Sequence, residues 1–479
     1  MTDTHTVSTS PGWGELLSGG NLIRSIALSG GVALHAVNLY ISTTILPSVV
    51  REIGGMDYYA WNMTLFVVAS ILGAALSSPV LAHVGPRGGY GIAGLIFIIG
   101  TLVCTMANDM PIMLVGRLVQ GFGGGILLAL AYAMVRRVYV EQLWPRALAL
   151  LSSMWGIATL LGPAVGGVFA ELGLWRGAFL VLVPFAALVV LAAVFVLPQR
   201  EPGRSPGEPL PLTQLLLLTL AVFAASWGGV GKDLSSIAIG MAAALVLIVL
   251  LVLVERRSNC KLLPRNTFRL PAALGSLYST SALLAGTVTC TEIFLPLFLQ
   301  ELHGRSPLQA GYIAAVMSAG WTAAAISASG FQARRRVIAV HAGPVLSVGA
   351  MVILAAALPW AGQIGDWLPL TLICGALVVG GAGVGLAYPH LSAMVLRVAP
   401  PDEADNAASS IMTVQLCATA FGAALAGLAV NLAGGSTSSG GIDVANAARW
   451  LFITVAVAPA FCLLIMNSAS FTQASERYR

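Results

Sequence analysis

The sequence is poor in charge: only 9% of its 479 residues are Asp, Glu, Lys or Arg, whereas 57% are hydrophobic. A soluble globular protein carries about 25% charged residues, so a water-soluble fold of this size could not bury so much apolar surface. A lipid bilayer can hold it, because the hydrocarbon core accepts the apolar side chains that water rejects. The composition therefore predicts an integral membrane protein.

Patterns typical of enzymes and cofactor sites are also missing. The six cysteines have no metal-ligand spacing, and no nucleophile and base stand together in a polar loop. The run Gly123–Gly125 lies in an apolar segment and lacks a following Lys-Ser/Thr, so it is not a phosphate loop. We expect no cofactor, no metal, no nucleic-acid partner and no enzymatic activity.

Long hydrophobic segments fill most of the chain. A spanning helix needs about 20 mostly apolar residues, and this rule gives fourteen spans. They lie near residues 24–48, 58–82, 89–108, 112–135, 147–170, 177–197, 211–229, 235–254, 272–299, 307–330, 337–358, 367–390, 404–431 and 448–467. The sequence thus predicts an all-α protein of fourteen transmembrane helices.

The distribution of positive charge predicts the orientation. With the N-terminus in the cytoplasm, 18 Lys and Arg residues fall inside and 5 outside, and Arg117 stays within a span. Because cytoplasmic loops collect basic residues, we expect both termini in the cytoplasm of a multi-pass cell-membrane protein, in a bacterial inner membrane. This topology also explains the net charge of +5.

The two ends of the chain resemble each other faintly. Ala131-Tyr132 ends the fourth span and Ala387-Tyr388 ends the twelfth, and a Ser-Ser pair follows each at nearly the same spacing. Internal repeats of this kind are typical of transporters that rock two bundles around a central site. The expected organisation is a cytoplasmic tail, a six-helix bundle, a linker with helices 7 and 8, a second six-helix bundle and a second cytoplasmic tail. Their bounds are 1–23, 24–197, 198–269, 270–467 and 468–479.

Motifs in the fourth and fifth spans carry a family resemblance. The fifth span contains Gly162-Pro163-Ala164-Val165-Gly166-Gly167, and the fourth contains Arg117-Leu118-Val119-Gln120-Gly121-Phe122-Gly123. The chain resembles the major facilitator superfamily and, within it, the fourteen-helix drug:proton antiporters. The resemblance implies two six-helix bundles plus an inserted two-helix hairpin. It implies that Gly162, Pro163, Gly166 and Gly167 form the antiporter motif, which seals against leak; a plain helix kink is the alternative.

Two charged side chains stand out inside the spans. Arg117 is the one basic residue there, and it should face the bundle interior and find polar partners such as Gln120, one turn away. The resemblance implies that Arg117 takes part in proton coupling, and a structural arginine is the alternative. Glu292 is the one acid well inside an apolar span. Intramembrane carboxyl groups mark proton relays, so Glu292 is the leading candidate for proton coupling, against a permanently protonated structural group.

The first span departs from the family pattern. The relatives place an aspartate nine residues before the proline of this span; here the proline is Pro47 and that position is Asn38, which cannot titrate. His35, one turn before Asn38, can titrate near neutral pH and is a second candidate for proton coupling, although a buried structural histidine is equally compatible. Asn38, Tyr40, Gln120 and Gln415 are expected to line the substrate cavity.

These observations predict a proton-coupled antiporter that exports lipophilic or amphipathic small molecules by alternating access. Its expected partners are that substrate, protons and the lipid bilayer, and it is expected to be a monomer. A dedicated exporter of an envelope lipid or a secreted metabolite is the alternative. A membrane enzyme or scaffold would need catalytic groups or a large soluble loop, neither of which the sequence provides. Helices 7 and 8 carry no interior charge and are expected at the periphery.

Overall fold

The computed structural model describes most of the chain, and its secondary structure is helical. The described residues are 13–140, 143–199, 211–230, 234–258, 262–264, 267, 272–329, 331, 334–360, 367–399, 404–433, 443–468 and 471. Much of the expected terminal tails and of the 198–269 linker therefore lies outside the described residues.

Fifteen α-helices occur within these ranges. They are α1 (Trp13–Leu16), α2 (Gly19–Ile53), α3 (Tyr59–Thr105), α4 (Met110–Val138), α5 (Trp144–Glu171), α6 (Trp175–Leu180), α7 (Leu182–Val196), α8 (Leu212–Val230), α9 (Leu234–Arg257), α10 (Ala273–His303), α11 (Pro307–Ser329), α12 (Arg334–Ala357), α13 (Trp367–Val398), α14 (Ala404–Ala433) and α15 (Val444–Met466). Several extend beyond the predicted spans, because hydropathy marks only the part of a helix that crosses hydrocarbon.

In the described part of the chain, twelve helical segments are long and apolar enough to cross a membrane. One of them, Met56–Thr105, has 50 residues, which correspond to about 75 Å of helix at 1.5 Å per residue. That length is more than twice the hydrocarbon thickness of about 30 Å. The apolar helix Leu212–Gly228 is shorter than the others.

The connection between the second and third predicted spans is a kink and not the expected loop. Within α3, Gly85 alone leaves the helical conformation, with φ +72° and ψ 178°. Glycine adopts this left-handed conformation without steric penalty, and Pro86 then restarts the helix with its fixed φ. One residue is thus enough to turn the chain.

Helices before and after the α8–α9 pair form similar packing patterns. In the first half, α3 packs on α4 and α2 packs on α5; in the second, α11 packs on α13 and α10 packs on α14. The halves meet along α5 with α11 and along α3 with α14. These two contacts are reciprocal, since each joins the second predicted span of one half to the fifth predicted span of the other, α3 containing both the second and the third span of the first half.

The α8–α9 pair lies beside this arrangement. The two helices pack on each other, and α8 also packs against α14 and touches α3. The indole nitrogen of Trp61, on α3, donates to the carbonyl of Ser226 on α8 at 3.1 Å. The pair is therefore attached at the α3–α14 side of the interface between the halves.

Candidate functional site

Glu292 lies on α10 at the interface between the halves. Its side chain is half-buried, and its Oε1 accepts a hydrogen bond from the Ser318 hydroxyl of α11 at 2.8 Å. Among the described residues, no basic side chain forms an ion pair with it. A half-buried carboxyl group without a basic partner can gain and lose a proton without breaking a salt bridge.

Tyr40 of α2 approaches this carboxyl from the other half. Its hydroxyl lies beside the Ser318 hydroxyl and close to Glu292, and its side chain is half-buried. We call Tyr40, Ser318 and Glu292 the interface site. The site joins one residue of the first half to two of the second, so its geometry changes whenever the halves move relative to each other.

Arg117 lies in a separate polar cluster inside the first half. It has no exposed surface, and its Nη1 donates to Gln120 Oε1 at 2.7 Å while its Nε donates to the Asn62 carbonyl at 3.3 Å. The guanidinium lies 4.1 Å from the ring centre of Phe66. Gln120 donates in turn to the Thr101 hydroxyl at 2.8 Å. The predicted Arg117–Gln120 contact is confirmed, and Gln120 is turned into the protein beside the arginine.

His35 is buried near this arginine cluster, and Asn38 is buried one turn further along α2. Both side chains have no exposed surface. His35 lies near Arg117 and beside the Gly124 backbone, with its ring 5.1 Å from that of Phe66. Among the described residues, neither the His35 ring nitrogens nor the Asn38 amide have a partner at hydrogen-bonding geometry.

The structure therefore divides the candidate residues between two places. Arg117, Gln120, His35 and Asn38 belong to the first half, whereas Glu292 and Tyr40 meet between the halves. The structure does not bring His35 into contact with Glu292. Gln415, on α14, accepts a 3.3 Å hydrogen bond from the Tyr388 hydroxyl.

Sequence reasoning missed two residues that hydrogen-bond to the predicted ones: Ser318, which donates to Glu292, and Asn62, whose carbonyl accepts from Arg117. Both are uncharged polar residues within apolar spans, which is a weak signal shared with many serines and threonines of this chain. Asn62 is buried, and its Oδ1 accepts from the Ser42 hydroxyl at 2.7 Å. Their roles follow from tertiary packing alone.

The glycines of the α5 motif lie where three helices meet. A methyl group on Gly162 would overlap Tyr40 of α2, and one on Gly166 would lie 3.1 Å from the Ile41 carbonyl. A methyl group on Gly167 would lie 2.5 Å from Leu308 Cα, on α11 of the other half. The motif thus permits close packing of α5 on α2 and on α11.

Contacts between the halves also close one end of the molecule, which we call the Ile53 end because α2 finishes there. Arg51 Nη2 donates to Gln300 Oε1 at 2.6 Å. Nearer to Glu292 along α10, the rings of Tyr59 and Phe294 stack with centroids 5.0 Å apart. Because α10 carries Glu292, Phe294 and Gln300 in this order, the contacts separate the interface site from the Ile53 end.

Comparison with known proteins agrees with this architecture. The sequence model of one family, described as Major Facilitator Superfamily, matches residues 28–416. Over 463 residues the chain is 37% identical to a probable multidrug-efflux transporter of Mycobacterium tuberculosis, covering 95% of each protein. It is 25% identical over 394 residues to the multidrug efflux pump SdrM of Staphylococcus aureus, covering 80% of this chain and 83% of SdrM.

Solved structures share the fold at low sequence identity. A bacterial homolog to the human lysosomal transporter Spinster, in an inward-facing and unoccupied conformation, matches with a TM-score of 0.63 at 15% identity, covering 96% of this chain and 98% of that one. The nucleoside transporter NupG also matches with a TM-score of 0.63, at 13% identity, covering 94% and 100%. Membrane-crossing helices, this fold and the family match together identify the chain as a member of the Major Facilitator Superfamily, a family of transporters and not of enzymes.

Proposed function

We propose that this protein is a proton-coupled antiporter that exports lipophilic or amphipathic small molecules. The observation that carries the proposal is the interface site, where a half-buried carboxyl without a basic partner contacts Ser318 of its own half and lies near Tyr40 of the other half. The names of the relatives, a probable multidrug-efflux transporter and a multidrug efflux pump, support export as the direction.

Alternating access gives the carboxyl its role. Glu292 exchanges a proton with whichever side water reaches, and rocking of the halves changes that side. When rocking of the halves moves Tyr40 away from Ser318, the surroundings of Glu292 change at the same moment. Proton binding and movement of the halves are thereby linked at one place, as an antiporter requires.

The first half supplies a fixed positive charge without a matching acid. Arg117 is buried, and Asn38 stands where the related antiporters have an aspartate, so this half has no carboxyl for coupling at that position. We therefore assign proton exchange to Glu292 and a positioning role to Arg117. His35 remains a proposed proton relay within the first half.

The membrane arrangement that we propose has fourteen crossings. The 50-residue segment Met56–Thr105 counts as two crossings because it bends at Gly85, and Leu212–Gly228 adds one to the twelve candidates. The bundles comprise residues 24–197 and 270–467, joined by a linker that contains the α8–α9 pair. Both termini face the cytoplasm of the cell membrane, which places the Ile53 end outside, and the protein works as a monomer.

The charges of the interior limit the cargo. Relatives that favour multiply charged cations are expected to need several membrane acids, whereas this chain offers Glu292 against the positive Arg117. We propose neutral, zwitterionic or monocationic lipophilic substrates, with Tyr40 and Gln415 among the polar groups that meet them. Asn38, which is fully buried in this structure, would meet them only after the halves move. Preferred export of dicationic compounds would contradict this assignment.

The proposal is tested with purified full-length protein in sealed liposomes. Substrate movement of a monocationic lipophilic dye is followed under an imposed pH gradient and again after a proton ionophore has dissipated it. In the same vesicles, an added dye gradient should drive proton movement in the opposite direction. If dye moves at the same rate with and without the pH gradient and no protons move with it, proton coupling is overturned. The assignment to the transporter family would not change.

A further inference from the structure

A cavity lies away from the interface site, between the α8–α9 pair and the second half. Its volume is about 410 Å³. The walls come from α8 and α9, from the segment after α9, and from α10, α14 and α15. We call it the lateral cavity.

The lateral cavity and the interface site lie on opposite faces of α10. Cys290 lines the cavity, whereas Glu292, two residues on, contacts Ser318. Two residues correspond to about 200° around a helix, so one helix separates the two sites. The proposed transport function does not use the lateral cavity.

The lining offers almost no free polar groups. The hydroxyl of Thr287 donates to the Leu283 carbonyl at 2.8 Å, and that of Thr454 donates to the Trp450 carbonyl at 2.7 Å. The Tyr278 hydroxyl donates to the Ala407 carbonyl at 2.9 Å. With these hydroxyls satisfied by the backbone and the remaining lining largely aliphatic, the cavity favours an apolar occupant.

The dimensions fit one hydrocarbon chain. Along α10 the lining runs from Tyr278 to Cys290, which is about 18 Å at 1.5 Å per residue. One leaflet of the hydrocarbon core is about 15 Å deep, half of the full thickness. The cavity is also open to its surroundings, since the lining residue Leu425 is 47% exposed. A lipid chain could therefore enter from the bilayer side.

Two arginines lie near the end of the cavity that is formed by residues after α9, next to the buried Glu255. Leu262 and Leu263 line the cavity there, and Arg256 and Arg257 form the last turn of α9. The buried Glu255 accepts a hydrogen bond from the backbone N–H of Leu263 at 2.8 Å, which holds Leu263 in the cavity wall. Clusters of Lys and Arg at the membrane surface attract anionic headgroups.

We propose that the lateral cavity binds a bilayer phospholipid, with one acyl chain between the α8–α9 pair and α10, α14 and α15, and an anionic headgroup at Arg256 and Arg257. The α8–α9 pair then forms one wall of a lipid site. This role goes beyond transport and does not depend on the cargo or on proton coupling.

The test uses full-length protein in liposomes of phosphatidylethanolamine and phosphatidylglycerol. A trace of phosphatidylglycerol with a diazirine on its acyl chain is photolysed, and labelled peptides are mapped by mass spectrometry. The cavity variant is Ala458→Phe, because Ala458 lines the cavity. Its matched control is Val457→Phe, at the adjacent and 63% exposed position of α15. Ala282→Phe, in the α10 wall, serves as a second cavity variant, and thermal unfolding shows which variants are folded.

Labelling should concentrate on the peptides that contain Tyr278–Cys290 and Thr413–Ala429 in the wild type and in Val457→Phe. It should fall by about tenfold in the cavity variants, the change expected when about two methylene groups lose their burial. Labelling spread evenly over lipid-exposed helices, or unchanged in folded cavity variants, would overturn the site. A phosphatidylcholine with the same diazirine on its acyl chain serves as the zwitterionic control probe. Equal labelling by this control probe, or no effect of Arg256→Gln with Arg257→Gln, would overturn the headgroup assignment. Displacement of the probe by the transported dye would show a cargo site and overturn the lipid assignment.

Discussion

The close contact between α5 and α11 at Gly167 predicts how a single methyl group shifts the conformational equilibrium. In Gly167→Ala, the new Cβ would lie 2.5 Å from Leu308 Cα and 2.9 Å from its Cβ. Carbon atoms at optimal separation are about 3.5–4.0 Å apart, so α5 and α11 must separate by about 1 Å. Because the two helices belong to different halves, the substitution acts against the arrangement that brings the halves together here.

The magnitude follows from the general cost of overpacking. An extra methylene in a well-packed contact destabilises the packed state by about 1–3 kcal/mol. If this cost falls on the arrangement in which the halves touch at the Ile53 end, the ratio of open to closed protein rises by about 5- to 150-fold. The contact exists between the halves, so the open arrangement does not carry the same cost.

Gly156→Ala is the matched control. Gly156 lies on the same helix, and a methyl group there would meet nothing within 4 Å. Both substitutions gain roughly 1 kcal/mol of helix propensity relative to glycine, so the comparison isolates the inter-half contact. The assay is double electron–electron resonance between spin labels at Tyr58 and Glu301, in a background without native cysteines. Identical distance distributions in the two variants would refute the reasoning.

Three further predictions concern charge and topology. Arg117→Lys keeps the charge but loses the planar guanidinium contacts, so export should fall at least several-fold with the fold intact; an unchanged export rate would show that only the charge matters. Arg51→Ala removes the hydrogen bond to Gln300, worth about 1 kcal/mol, and should favour opening of the Ile53 end about fivefold, measured by cysteine accessibility there. A single cysteine at Arg335 should be labelled only from the cytoplasm and one at Lys232 only from outside, and the reverse pattern would overturn the proposed topology.

The sequence predicts those features that depend only on residues close to each other along the chain. The apolar runs predicted the helices because a bilayer selects them by length and hydropathy. The Arg117–Gln120 contact followed from their spacing of three residues on one helix. Glu292 could be singled out because an unpaired acid in an apolar span is rare.

The rest of the site depends on which helices pack together, and one sequence does not reveal this. The approach of Tyr40 to Ser318 and Glu292 joins residues from α2, α10 and α11. The burial of Gln120 beside Arg117 likewise depends on how α4 is rotated within its half. The kink at Gly85 was not predicted, because the sequence of a glycine between two apolar runs does not distinguish a one-residue kink from an ordinary loop.

The most direct test of the proton-coupling mechanism removes titration from the interface site while preserving its shape. Gln at position 292 retains an oxygen that can accept the Ser318 hydrogen bond, but it cannot exchange a proton. Glu301→Gln, at an exposed position on the same helix, is the control. Purified variants of equal thermal stability are placed in liposomes, and substrate accumulation driven by a pH gradient is compared with exchange in its absence. The mechanism predicts that Glu292→Gln retains exchange but loses gradient-driven accumulation, while Glu301→Gln keeps both; full gradient-driven accumulation by Glu292→Gln would contradict it.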